Sequence, residues 1–170
     1  MGVSPSKRVK SSFSNSPEFN SACDSAFSHC LSLTEHGFDG VFPFQLATAS
    51  DHLYQTLQAG PHPHPLILRW VPSPPTRSQV DSALRAVPRE SKATTTTTTL
   101  GPAQFKQWAV ELFAGAVVCN ARQALMVRVP IGVAGIAGLG AASRSGKDIV
   151  GTAIGVYALG VATAIYLGLQ

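Results

Sequence analysis

The chain has 170 residues, a net charge of +4 and 45% hydrophobic residues. That length suits one ordinary domain, yet Pro, Ser, Thr and His crowd residues 1–102 while residues 103–170 are rich in Ala, Gly and Val. The basic residues form no long run of the kind that marks a nucleic-acid groove, and Cys23, Cys30 and Cys119 show neither zinc spacing nor the even count of a disulfide framework.

The opening "MGVSPSKRVK" fits the N-myristoylation pattern, with Ser6 at the required place and Gly2 as the acylated residue once Met1 is removed. One myristoyl chain holds a membrane only marginally, and Lys7, Arg8 and Lys10 would supply a second attraction to anionic lipid. Residues 1–15 are therefore expected to be a basic tail, on the cytosolic face of a plasma, endomembrane or organellar outer membrane. The alternatives are a transit segment, since no acidic residue precedes Glu18, and an inert tail.

Residues 16–88 predict a small helical region. Ser16 suits an N-cap and Pro17 the first helical position, and Phe19, Ala22, Cys23, Ala26, Phe27, Cys30 and Leu31 share one apolar face. Cys23 and Cys30 read as buried small residues, and His29 as a surface residue. A weaker helix is expected across Leu46, Ala49, Leu53, Tyr54 and Leu57, ending at Gly60-Pro61. "PHPHP" reads as a loop whose His62 and His64 make too poor a ligand pair for a metal, and "LILRWV" as a strand or extended packing segment. A third helix follows, with Ser78 and Asp81 resembling a capping box. These helices alone offer little apolar surface, so the region is expected to be marginal by itself.

Residues 89–102, with six consecutive threonines, read as a linker. Residues 103–128 are helical by propensity but carry Lys106, Glu111, Asn120, Arg122 and Arg128, costly on a lipid-facing span. An amphipathic or interfacial helix is expected there, with Trp108 near the headgroup level. Residues 129–170 predict a membrane hairpin. No charge occurs from Pro130 to Ser143 or from Ile149 to Gln170, and Arg144, Lys147 and Asp148 occupy the connection.

The "SGKDIVG" within that connection is not a phosphate loop. Ala141 stands where a P-loop needs its first glycine, Asp148 replaces the hydroxyl residue after the lysine, and Ser143 replaces the third glycine of a dinucleotide fingerprint. No cofactor is expected. Gly132, Gly135 and Gly138, with Gly151, Gly155 and Gly160, fall instead at the small-residue spacing that lets membrane helices approach.

Arg144, Asp148, Gly155 and Gly160 together resemble part of the signature of the mitochondrial and plastid preprotein and amino-acid transporter family. Val156 stands at that signature's second glycine and Val133 at its upstream aromatic. The resemblance implies glycine-rich membrane helices and a small translocase or channel component of an organellar membrane. "NSPEFNSACDSAFSHCLSL" and "RWVPSPPTRSQVDSALR" give the preceding half a resemblance to plant-type small membrane proteins of an uncharacterised family, which implies no activity.

The chain is thus expected to be mostly α, with short N-terminal helices, a low-complexity linker and a C-terminal transmembrane hairpin. Its His and Asp residues do not converge as acid, base and nucleophile, so a non-enzymatic, membrane-anchored interaction or assembly protein is the leading expectation. Its partners would be the bilayer and either another protein or a second copy packed through the glycines.

Overall fold

The computed structural model describes residues 4–35, 37–88, 99–142 and 147–169, the Lys147 side chain excepted. Gly2, Arg144, the Lys147 side chain and residues 89–98 of the expected linker lie outside the described residues. The described chain is mostly helical, with α1 (Pro5–Asn15), α2 (Pro17–Ser32), α3 (Leu46–Ala59), α4 (Pro65–Trp70), α5 (Arg77–Ala86), α6 (Pro102–Ala142) and α7 (Lys147–Leu167). It divides into two compact units, Met1–Val118 and Cys119–Gln170, with α6 contributing residues to both.

The first unit begins with a helix where a tail was expected. Ser4 caps α1 by accepting from the Lys7 N–H, and Pro5 fits the first turn. Val9 and Phe13, one turn apart, are buried, so apolar anchoring outweighs the basic character of the segment. Ser16 then ends α1 and caps α2, its Oγ accepting from the Phe19 N–H at 3.2 Å. Asn20 reaches back across this corner to the Ser14 and Ser16 carbonyls. α2 buries Phe19, Ala22, Cys23, Ala26 and Cys30, the face expected from the sequence. Burial pushes the Cys23 thiol up to about 12 and the Cys30 thiol up to about 11.

α3 follows as expected and buries Leu46, Leu53, Tyr54 and Leu57. Three local readings change. "LILRWV" is a helix, because His64 supplies an N-cap and Pro65 its first position. α5 starts at Arg77 rather than after Ser78: the cap is Thr76, whose N–H donates to Gln79 Oε1 at 2.8 Å, and glutamine has the reach that Asp81 lacks. His29 is not a lone surface residue, since its ring stacks on His52 of α3 at 4.7 Å.

The largest change concerns residues 103–128, which form no separate interfacial helix. They belong to α6, whose Phe105, Trp108, Ala109, Leu112, Phe113, Ala116 and Val117 repeat at helical spacing and are buried. Trp108 is fully buried rather than placed for a headgroup, and its Nε1–H points to the Val80 carbonyl at 3.4 Å. Two of the charges that suggested an interface have protein partners: Lys106 pairs with Asp24 at 2.7 Å and Glu111 with Lys10 at 2.6 Å. Phe27 meets Phe105, and Phe19 meets both Phe13 and Phe113, so α1 and the start of α6 complete a core that residues 16–88 do not fill alone. The last linker residues are ordered into this unit, Leu100 exchanging backbone hydrogen bonds of 2.8 and 2.9 Å with Val41.

His64 gives this core a pH dependence. Its Nδ1 accepts from the Leu66 N–H, its ring lies 4.8 Å from that of Phe13, and burial lowers its pKa while the Glu18 carboxylate opposes in part. The His52 pKa is lowered too, by burial and then by His29. Both bind fewer protons folded than unfolded, so their full contribution is present above the unfolded value of about 6.5 and is lost as pH falls through the lower folded values. The unfolding midpoint of this unit, followed by circular dichroism, should drop between about pH 7.5 and about pH 5.5. His64→Asn, which retains a capping acceptor, should flatten that slope; an unchanged slope would assign the effect to other groups.

Candidate membrane-spanning helix pair

The second unit joins the C-terminal part of α6 to α7. Both helices are long and apolar enough to cross a membrane, with best windows of mean hydropathy 1.7 and 1.8. The core helix of a soluble protein meets the same criterion, but such a helix is buried; here only 0% and 6% of those windows is. Leu139, Ile149, Val156 and Leu159 are each at least two-thirds exposed, an arrangement that water disfavours and lipid does not. Cys119–Ala142 spans about 36 Å and the 21 residues of α7 about 32 Å, against a hydrocarbon core of about 30 Å. Helical continuity upstream of Pro130 lets the apolar stretch run from about Leu125 to Ala142, about 27 Å, with Arg128 one turn from its start and able to extend its guanidinium outward.

Polar groups within these helices find partners close by. Thr152 donates its hydroxyl to the Asp148 carbonyl at 2.8 Å, one turn earlier in α7. Pro130 has no N–H, so the Met126 carbonyl loses its usual intrahelical donor. In the same turn the Arg128 carbonyl accepts from Tyr157 Oη at 3.1 Å, across to α7. The Tyr157 ring occupies the space beside Gly132, and a Cβ there would collide with it. Near the connection, a Cβ on Gly140 would collide with Val150. The pairings Gly132–Tyr157 and Gly140–Val150 fix an antiparallel arrangement.

The expected glycine contacts are therefore redistributed. Gly132 is a close-approach position, whereas Gly135, Gly138, Gly151, Gly155 and Gly160 have nothing within 4 Å of where a Cβ would stand. Small-residue spacing marks a face but does not say which face meets the neighbour. Gly140 and Tyr157 went unnoticed in the sequence. The available signal was the phenol itself, a hydroxyl inside an apolar span that needs an acceptor. Asp148 lies in the first turn of α7, where its charge suits the helix dipole. With Ile149, Thr152, Ala153, Val156 and Tyr157 it lines an open groove of about 670 Å³.

The basic residues named from the sequence lie in the first unit and differ in environment. Lys7 is exposed, Arg8 is half-buried, and Lys10 is held by Glu111. Among the described residues no group of three or more His, Cys, Asp or Glu side chains is placed to hold a metal. Comparison with protein-family models, curated proteins and solved structures finds no match to this chain.

Proposed function

We propose that the chain is a non-enzymatic membrane protein whose C-terminal helix pair anchors an N-terminal helical unit that recruits or braces a protein partner. The observation that carries this reading is the contrast in burial. The first unit encloses its large apolar side chains, among them Phe13, Phe19, Trp108 and Phe113, while Leu139, Ile149, Val156 and Leu159 of the second face outward. A bilayer is the solvent that suits such a surface. Two crossings return the C terminus to the side of the first unit. Arg122 and Arg128 favour that side being cytosolic, whereas Arg144 and Lys147 oppose it. Acylation of Gly2 belongs to the same reading, and the intact mass of the extracted protein reads it directly. Gly151 and Gly155, with no neighbour within the pair, suit contact with a second copy or another membrane helix.

Alkaline carbonate extraction tests the anchor. The protein should stay in the membrane pellet, and Leu139→Arg with Leu159→Arg together should release it, each arginine costing about 2.5–3.5 kcal/mol if it lies near the bilayer centre. Of two glycosylation acceptors, one added at the connection and one after Gln170, only one should be modified, because two crossings place them on opposite sides of the bilayer. Release of the unaltered protein by carbonate would overturn the reading.

A further inference from the structure

The loop joining α2 to α3 carries apolar surface that the core does not use. Leu33, Phe38 and Phe44 are 55%, 50% and 71% exposed, although they belong to a unit that buries most of its aromatic rings. The two phenylalanine rings form a ladder through Phe42: Phe38 meets Phe42 edge-on at 4.8 Å, and Phe42 stacks on Phe44 at 5.4 Å. The ladder is held from behind. The Phe42 N–H donates to Gln45 Oε1 at 2.9 Å, and buried Gln45 donates to the Cys30 carbonyl at 2.9 Å. Val41 is paired with Leu100, and a side chain at Gly40 would collide with the Leu100 carbonyl and Thr99. Surface held in place before binding loses little freedom on binding.

The same loop carries two exposed carboxylates, Glu35 and Asp39. Glu35 has φ 50°, a conformation in which glycine or asparagine is the ordinary occupant. Loop closure alone does not call for a carboxylate there. Exposed aromatic rings and exposed carboxylates carried on one loop suit a guanidinium, which stacks on a ring and pairs with a carboxylate at its edge. An anionic lipid surface would be repelled by the same two groups.

We infer that Leu33, Phe38 and Phe44, together with Glu35 and Asp39, form a docking surface for an arginine-bearing segment of a partner protein. This names the partner chemistry for the recruiting role proposed above and rests on that role, but not on membrane insertion. The test uses the full chain in phosphatidylcholine nanodiscs. Its probe is a short peptide alternating arginine and leucine, compared with lysine–leucine and glutamate–leucine versions by fluorescence anisotropy against empty nanodiscs. The arginine peptide should bind best and weaken with salt. Phe44→Ala, Glu35→Gly and Asp39→Asn should each weaken it by about two- to fivefold while helix content is kept. Equal binding of the glutamate peptide, or variants indistinguishable from the unaltered chain, would overturn the inference. So would a Phe44→Ala loss confined to vesicles containing phosphatidylserine, which would assign the patch to a lipid surface. Carbonate resistance is a separate readout and stands or falls independently of these results.

Discussion

Trp108→Ala lowers the stability of the N-terminal unit by about 3–5 kcal/mol, the usual cost of removing a large buried aromatic. Trp108 is fully buried, its ring lies 5.2 Å from that of Phe105, and it touches α5 through the Val80 carbonyl. Small domains have only about 5–15 kcal/mol to lose, so the substitution removes a large share. Trp108→Phe keeps most of the packing and gives up one long hydrogen bond, so it should cost about 1 kcal/mol. Urea titration in mild detergent micelles separates these outcomes by circular dichroism, with the apolar helix pair retaining its own signal. A midpoint for Trp108→Ala equal to that of Trp108→Phe would remove the tryptophan from the centre of this core.

Gly132→Ile separates the helix pair. An isoleucine side chain at this position meets the Tyr157 ring, and overpacking of this sort costs about 1–3 kcal/mol. Moving the ring also removes the hydroxyl from the Arg128 carbonyl. Tyr157→Phe isolates that second contribution and should cost about 0.6 kcal/mol, the average for such bonds between membrane helices. Gly151→Ile and Gly155→Ile should leave the stability of the pair unaltered, because neither position has a neighbour in it. Loss of helix during sodium dodecyl sulfate titration from bicelles ranks the four variants. Equal midpoints for Gly132→Ile and Gly151→Ile would mean that the close approach at Gly132 contributes nothing.

What could be read from the sequence depended on how local its cause was. Ser16, Pro17 and the apolar face of α2 lie within a few turns of one another, so cap, start and buried side were all legible. α4 was not, because a short apolar run has no decisive period, although His64 and Pro65 marked a helix start. α6 was misread for a different reason. Its buried stripe from Phe105 to Val117 was present in the sequence, but Lys106 and Glu111 drew the interpretation toward a membrane surface. Their partners, Asp24 and Lys10, lie far away in sequence, and only the folded unit brings them together. Among the glycines, spacing located a small-residue face, while Tyr157 determined where the helices meet.

The burial of Cys23 and Cys30 gives the protein an uneven thiol chemistry. With their pKa values pushed up to about 12 and about 11, almost none of either sulfur is thiolate at neutral pH, and thiolate is the reactive form. Cys119 is the exposed thiol among the three. Toward electrophiles and oxidants the folded chain therefore behaves as though it had a single cysteine, at the first residue of the C-terminal unit. The other two become accessible only when the N-terminal core opens.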